Sequence, residues 1–211
     1  LHIDEKAFPA RVLAGLISSA KNEMISPTQY AASASSPATL AAAQVFPRYE
    51  ASLKEAGALD FDDLISRTVS MLKSHTELRQ KWQTQFKYVM IDEYQDTNVA
   101  QYQLVKLLVG EHNNLAVVGD DWQSIYSWRG ADFRNILRFE KDYPDCTVIK
   151  LEQNYRNTKH ILDAAHAVIT KNSQRSDKRL WTAAGDGKPV QIAQVNGERA
   201  EGEAVVSRIR N

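Results

Sequence analysis

The amino-acid sequence predicts an α/β protein in which helices flank a parallel sheet. Two short apolar runs, at 88–91 and 115–118, each lead into acidic residues, and a helical pattern over 98–109 separates them. Strands that are apolar along their whole length and alternate with helices are typical of a buried parallel sheet. The apolar runs at 147–151 and 190–195 predict two further strands.

The helices are predicted from apolar periodicity and from capping residues. Asp60 is expected to begin a helix whose apolar residues recur every three or four positions as far as Leu72. Four further helices are predicted, over 17–25 and 131–143 and starting near 157 and 199. The stretch 31–39 is rich in Ala and Ser and predicts a surface loop. Pro47 is expected to kink or split the helix that follows this loop, because proline cannot donate the backbone hydrogen bond.

The composition indicates a globular protein. The 211 residues include 26 Lys and Arg and 26 Asp and Glu, so the formal net charge is 0, and 43% are hydrophobic. These values argue against wholesale disorder, a collagen-like repeat and a coiled coil. The sequence lacks a run of about 18 apolar residues, so no membrane span is expected. A neutral total gives no global electrostatic reason to expect nucleic acid, although a local stripe of charge can lie within it.

The single cysteine indicates the location of the protein, and the first residues indicate how the chain arose. Cys146 cannot form an intrachain disulfide, and this favours a reducing, cytoplasmic location. The chain begins at Leu1 without an initiator Met or a signal-peptide pattern, which favours an excised fragment or a processed chain.

The sharpest local feature is the acidic pair Asp92–Glu93, which follows the first predicted strand directly. The carboxyl ends of parallel strands form the ligand-binding edge of such sheets. One carboxylate there can bind Mg²⁺, and the next can polarise a water for attack on a phosphate. The pair therefore predicts phosphate chemistry, although a strand can also meet an acidic turn by chance.

Three more segments carry candidate functional side chains. Gln95 extends the acidic pair, and Gln123 follows the second strand, where an amide could sense a γ-phosphate. Tyr126 and Trp128 stand beside Arg129 in a predicted loop, a grouping suited to stacking on unpaired bases. The third segment, 151–157, pairs an aromatic ring with a guanidinium at Tyr155 and Arg156. Such a pair could stack on adenine and neutralise charge in a transition state.

Together these segments closely resemble the UvrD/Rep/PcrA type of superfamily 1 DNA helicases. The residues 91–98 (IDEYQDTN) resemble helicase motif II, 119–131 resemble motif III and 151–157 (LEQNYRN) resemble motif IV. The segment 59–64 (LDFDDL) resembles an acidic segment of the same family, and the resemblance runs through most of the chain.

The resemblance implies a role for each candidate at the nucleotide. Asp92 would bind Mg²⁺, and Glu93 would activate the attacking water. Gln95 would lie near the nucleotide and metal, and Gln123 would contact the γ-phosphate and couple hydrolysis to DNA movement. ATP and Mg²⁺ are the implied cofactors, and a 3′-to-5′ DNA helicase or translocase in DNA repair or replication is the implied activity.

The other implied roles concern adenine and DNA. Tyr155 would pack on adenine, and Arg156 would contact the γ-phosphate. Tyr126, Trp128 and Arg129 would contact single-stranded DNA, with Trp128 stacking on a base. Single-stranded DNA and single-strand/duplex junctions are the implied partners.

The family layout implies a partial RecA-like P-loop NTPase core together with a helical subdomain. Residues 1–55 would belong to the helical 1B subdomain, 56–150 would complete the first core, 1A, and 151–211 would begin the second, 2A. No segment of the sequence reads G-x-x-x-x-G-K-[ST], so the phosphate loop is expected to precede residue 1. The isolated chain is therefore expected to be inactive as an ATPase.

Two other functions are compatible with parts of the pattern. A Mg²⁺-dependent nuclease could use the two acidic pairs, 92–93 and 120–121, as a two-metal cluster. A non-catalytic module could bind single-stranded DNA through Tyr126 and Trp128 alone. The first predicts DNA cleavage without ATP, and the second predicts DNA binding that nucleotide does not change.

Overall fold

The computed structural model describes residues 3–210, with the exception of the side chain of Arg129. Within that range the chain forms ten α-helices and one sheet of two strands. It divides into two compact units, Leu1–Cys146 and Thr147–Asn211. No helix between residues 3 and 210 is both long enough and apolar enough to cross a membrane.

The first three helices form a small core of their own. They are α1 (Ala10–Asn22), α2 (Pro27–Ser33) and α3 (Pro37–Glu55). Helix α1 packs against α3, and α2 packs against α3 as well. The apolar side chains buried between them are Leu13, Ile17, Ala20, Ala41, Ala42 and Phe46.

The structure corrects two predictions in this region. Most of the stretch expected to be a loop, 31–39, is helical, because Ser26 and Ser36 each begin a helix with a capping box followed by proline. Pro47 lies inside the continuous helix α3 and does not split it. An internal proline costs about 3 kcal/mol. Burial of the neighbouring Phe46, which is 1% exposed, offsets part of this cost.

Three further helices follow, and the last of them packs against the sheet. They are α4 (Phe61–Ser74), α5 (Thr76–Gln85) and α6 (Val99–Val109). Asp60 begins α4 as predicted, with its side chain accepting a hydrogen bond from the Asp63 backbone N–H at 2.7 Å. Helix α4 packs against both α6 and α1, so it joins the N-terminal helices to the sheet layer.

The sheet confirms the first two predicted strands and their parallel direction. Strand β1 (Val89–Ile91) pairs with β2 (Leu115–Val117), and Met90 lies opposite Ala116. Hydrogen bonds continue past the strand ends, since the Val118 N–H donates to the Ile91 carbonyl (2.8 Å). The Tyr94 N–H in turn donates to the Val118 carbonyl (3.0 Å). The segments that follow the two strands are therefore close to each other.

The remaining helices are shorter or lie in the second unit. They are α7 (Arg134–Leu137), α8 (Phe139–Asp142), α9 (Lys159–Ile169) and α10 (Glu198–Arg210). The predicted helix over 131–143 is thus two short helices, and the helices expected near 157 and 199 are confirmed.

The predicted strands at 147–151 and 190–195 were wrong. Neither segment joins a sheet within the described residues. The strand pairing described in the second unit is limited to an isolated bridge between Gln153 and Trp181. A strand needs a neighbour that pairs with its backbone groups. Ile149 and Ile192 are 78% and 97% exposed. The apolar residues of these two segments are therefore not buried in a sheet of the described residues.

Candidate functional site

The acidic pair lies at the carboxyl end of β1, as the sequence predicted. Asp92 and Glu93 are both exposed, and the Glu93 N–H donates to the Asp92 Oδ1 at 2.9 Å. Glu93 has φ 51° and ψ 41°, which is the left-handed region that non-glycine residues rarely occupy. Such a conformation costs of order 1–3 kcal/mol and persists where the surrounding structure requires it. Here it turns the chain sharply from the strand into a short 3₁₀ turn, Tyr94–Asp96.

Gln95 connects the acidic pair to the segment after β2. The side chain is 1% exposed, and its Nε2 donates to Glu93 Oε2 at 2.8 Å and to Asp96 Oδ2 at 3.3 Å. Its Oε1 accepts the Asp120 backbone N–H at 3.0 Å. Because both ends of this buried amide are bonded, Gln95 fixes the Glu93 carboxylate relative to the backbone of the second strand end.

Gly119 makes this contact possible. A Cβ at this position would lie 2.5 Å from Gln95 Oε1 and 3.1 Å from the Tyr94 backbone nitrogen. Any side chain at position 119 would therefore displace the Gln95 amide or the turn that carries it.

Gln123 is held at the end of the same strand by Asp120. The Gln123 Nε2 donates to Asp120 Oδ2 at 2.7 Å, and the Trp122 N–H donates to Asp120 Oδ1 at 2.9 Å. The structure thus brings together four of the predicted nucleotide residues, namely Asp92, Glu93, Gln95 and Gln123. Asp120 orients Gln123, a role that sequence reasoning did not assign to it.

The aromatic loop, residues 124–131, follows directly. Trp128 is 69% exposed and Tyr126 is 40% exposed, and their ring centroids are 6.3 Å apart. Large rings that remain this accessible in a loop can stack on a ligand. The side chain of Arg129 lies outside the described part of the chain, so its predicted DNA contact stays a prediction.

Two residues missed by the sequence reasoning hold the end of the aromatic loop. The Thr97 carbonyl accepts hydrogen bonds from the Asp132 N–H and from Asn135 Nδ2, both at 3.0 Å. Thr97 and Asn135 are both buried. Their sequence signal is weak, since single Thr and Asn residues occur in many loops.

The second unit contains Tyr155 and Arg156 in an exposed turn. The Asn154 side chain accepts the N–H of Arg156 (3.0 Å) and the N–H of Asn157 (2.7 Å). Tyr155 is 83% exposed, and its hydroxyl donates to Gln153 Oε1 at 2.9 Å. Asn154 therefore presents both side chains to solvent, where the predicted contacts with adenine and phosphate are sterically open.

A buried charged cluster, here called the Lys21 cluster, is centred on a lysine of helix α1. Lys21 is 5% exposed, and its Nζ lies 2.7–3.0 Å from carboxylate oxygens of Glu50, Asp60 and Asp63. Arg67 adds a second cation, at 2.7 Å from Glu50 and 3.0 Å from Asp63. The cluster joins helices α1, α3 and α4.

The pKa values in the Lys21 cluster follow from this pairing. Burial alone would lower the pKa of Lys21, but its hydrogen bonds to the three carboxylates outweigh burial and raise it. Burial alone would raise the pKa of Asp60, but hydrogen bonds from Lys21, from the Asp63 backbone and from Tyr49 lower it. Both groups are therefore charged at neutral pH.

The strand-end carboxylates are chemically suited to a magnesium nucleotide. Mg²⁺ prefers oxygen ligands, and in nucleotide sites it takes one or two carboxylates together with phosphate oxygens and waters. Asp92 and Glu93 supply exposed carboxylates at a sheet edge, so the residues present fit this group. Among the described residues, no set of three or more His, Cys, Asp or Glu side chains gathers as a metal site.

Comparison with known families gives the class of protein. The UvrD/REP helicase N-terminal domain matches residues 1–144, and the UvrD-like helicase C-terminal domain matches residues 149–211. The chain belongs to the UvrD/REP helicase family, and these domains imply a RecA-like α/β fold.

The chain is similar to individual members of this family, each of which is named ATP-dependent DNA helicase PcrA. It is 46% identical over 210 residues to the protein of Leuconostoc citreum, covering 100% of this chain and 28% of that protein. It is 48% identical over 208 residues to the proteins of Staphylococcus aureus (strain Mu50) and Staphylococcus epidermidis, covering 99% of this chain and 28% of each relative. The chain thus spans less than a third of the length of these relatives. None of these matches supports the nuclease or the stand-alone DNA-binding module.

Proposed function

We propose that this chain forms part of an ATP-dependent DNA helicase that translocates 3′ to 5′ along single-stranded DNA and unwinds duplexes. Hydrogen bonds between the acidic pair and the segment that leads to the aromatic loop are the main support for this proposal. Gln95 connects Glu93 to Asp120, and Asp120 holds Gln123 just before the exposed aromatic rings. A change at the nucleotide therefore has a short path to a DNA-stacking surface.

The proposed roles in ATP hydrolysis follow the geometry of the first unit. Asp92 binds the magnesium ion, which when bound neutralises charge on the phosphates. Glu93 orients and deprotonates the attacking water, and Gln95 keeps its carboxylate in place. Gln123 contacts the γ-phosphate. In the second unit, Tyr155 packs on adenine and Arg156 contacts the γ-phosphate.

The proposed roles in DNA binding are assigned to the aromatic loop. Trp128 stacks on an unpaired base, with Tyr126 beside it and Arg129 as a further contact. Stacking on an aromatic ring is worth about 1–3 kcal/mol per base. Single-strand/duplex junctions are the proposed substrates and the cytoplasm is the proposed location, with repair or replication as the process.

The proposed domain layout assigns residues 1–55 to a helical 1B-type subdomain, 56–150 to the first RecA-like core and 151–211 to the second. The helical character of α1–α3 supports the first assignment. The division of the chain between Cys146 and Thr147 lies close to the second boundary.

The test is a Glu93→Gln substitution in the full-length protein. Loss of the general base should lower DNA-stimulated ATP turnover by about 10²–10⁴-fold while ATP binding is kept. Binding is measured with a fluorescent ATP analogue, and turnover by phosphate release. Glu111→Gln is the matched control, because Glu111 is also exposed but lies just before β2, at the opposite edge of the sheet. Full turnover in the Glu93 variant would refute the proposed role.

A further inference from the structure

Two asparagine side chains connect α1 to the start of α6. Asn98 Nδ2 donates to Asn22 Oδ1 at 2.6 Å, although the two residues are 76 positions apart. Asn22 Nδ2 donates to Asp62 Oδ1 and to the Ser18 carbonyl, each at 2.9 Å. Asn22 therefore holds three elements together, namely the end of α1, the first turn of α4 and the residue that begins α6.

Asn98 is fixed from its other side by its capping role. Its Oδ1 accepts the Gln101 N–H at 2.9 Å, and the Gln101 side chain accepts the Asn98 N–H at 3.0 Å. Asn98 is 8% exposed. Since its oxygen is used in the cap, Asn22 is the partner that satisfies its buried amide nitrogen.

The end of the aromatic loop lies next to this pair of asparagines. A Cβ added to Gly130 would lie 3.8 Å from the Asn22 Cβ and 3.9 Å from the Asn98 Cβ, so the face of Gly130 that lacks a side chain is turned towards both asparagines. Gly130 has φ 79°, which favours glycine, and its N–H donates to the Ser127 carbonyl at 2.9 Å. The residue before Asn98, Thr97, holds the chain just beyond the loop.

We propose that Asn22 is a positioning residue for DNA binding, which acts through Asn98 and Gly130 on the loop that carries Trp128. Asn22 lies 70 residues before the acidic pair in sequence and outside every motif that defines the candidate site. Its position makes DNA affinity depend on α1, so the N-terminal helices contribute to single-strand binding through packing and hydrogen bonding. This inference rests on the proposed function, since it assumes that the aromatic loop binds DNA.

The experiment compares three changes in the full-length protein. Asn22→Ala removes both long-range hydrogen bonds. The exchange Asn22→Asp with Asp62→Asn restores both, because an aspartate at 22 accepts from Asn98 and from the new asparagine at 62. The exchange loses the local bonds that Asn22 Nδ2 donates to the Ser18 carbonyl and, at 3.5 Å, to the Ser18 hydroxyl. Trp128→Ala removes the stacking ring itself and serves as the positive control.

The measurement is ATP turnover as a function of oligo(dT) concentration. Asn22→Ala should raise the DNA concentration for half-maximal stimulation about 5- to 20-fold, equivalent to the loss of one or two buried hydrogen bonds. Turnover without DNA, and maximal turnover at saturating DNA, should each stay within about twofold of the parent, because the hydrogen bonds of Asn22 in the described part of the chain go to Ser18, Asp62 and Asn98 and not to the acidic pair. The exchange variant should recover to within about threefold of the parent.

The outcomes separate this inference from the function on which it rests. If Trp128→Ala leaves the half-maximal DNA concentration unchanged, the proposed function fails and this inference fails with it. If Trp128→Ala weakens DNA binding and Asn22→Ala does not, only the positioning role of Asn22 is overturned. Equal losses of basal and stimulated turnover in Asn22→Ala, without recovery in the exchange variant, would show a general folding role and also overturn it.

Discussion

The Lys21 cluster and the acidic pair at the end of β1 are built from the same carboxylate side chains in different surroundings. In the Lys21 cluster the carboxylates surround a cation that is 5% exposed, at 2.7–3.0 Å. Asp92 and Glu93 are exposed, and the hydrogen bonds that orient them come from a backbone N–H and from the Gln95 amide. The first arrangement neutralises charge inside the protein, and the second leaves it accessible to a ligand.

Burial distinguishes the roles of the two acidic motifs. Buried carboxylates require paired cations, because an unpaired buried charge costs several kcal/mol. Exposed carboxylates tolerate a neutral amide as their partner, and they keep lone pairs for a metal or a water. The acidic segment 59–64 and the acidic pair 92–93 look alike in sequence, and burial separates a structural role from a chemical one.

The largest effect on stability is expected from Lys21→Met, which leaves the carboxylates of the Lys21 cluster without their central cation. Removing one partner of a buried ion pair costs about 3–5 kcal/mol. The free energy of opening of α1 and α4 in the full-length protein, measured by native-state hydrogen exchange, should fall by that amount. Lys54→Met is the matched control, because Lys54 is exposed near the end of α3 and should change stability by less than about 0.5 kcal/mol. Equal effects of the two variants would show that the cluster contributes no more than surface charge.

A smaller effect, on catalysis, is expected from Gly119→Ala. The added methyl group would meet Gln95 Oε1 at 2.5 Å, so the amide that orients Glu93 must move. A misplaced catalytic group costs about 10-fold or more in rate, and DNA-stimulated ATP turnover should fall accordingly. Gly15→Ala is the control, because a methyl group added there meets nothing within 4 Å. Position 15 lies in the interior of α1, where alanine is a better helix former than glycine. The control should be stabilising by about 0.5–1 kcal/mol. Unchanged turnover in Gly119→Ala would show that the Gln95 contact is dispensable.

Local patterns predicted the part of the candidate site that lies at the strand ends. The apolar runs at 88–91 and 115–118 and the helical period of α6 were confirmed, because buried parallel strands have a strong composition signal. The parallel pairing of the two strands then places the acidic pair beside residue 119. These features depend on residues close together in sequence.

The features that the sequence did not predict depend mainly on contacts between residues that are distant in sequence, which a single sequence does not reveal. Helix α5 was missed because its sequence, TELRQKWQTQ, is mostly polar and has little apolar periodicity. The continuity of α3 through Pro47 depends on packing against α1. The Asn22–Asn98 bond joins residues 76 positions apart, and the pairing of Lys21 with Asp60 spans 39.

The smallest effect concerns the acid stability of the Lys21 cluster. The Tyr49 hydroxyl donates to Asp60 Oδ2 at 2.8 Å, and this bond is one of the interactions that lower the pKa of Asp60. A carboxylate whose pKa is lowered on folding stabilises the folded state above its ordinary pKa. That stabilisation is lost as the pH falls through the lowered value. Acid unfolding of the full-length protein should therefore depend on this bond.

Tyr49→Phe removes the hydroxyl and keeps the ring. Without this donor the pKa of Asp60 should rise towards its ordinary value, so the acid transition, followed by circular dichroism, should shift to higher pH. At neutral pH the variant should lose about 1 kcal/mol, the net contribution of one hydrogen bond. Tyr30→Phe is the matched control, because the Tyr30 hydroxyl is buried without a hydrogen-bond partner among the described residues. Its removal should leave the acid transition in place, and a shift of equal size in both variants would show that Tyr49 acts through packing instead of through Asp60.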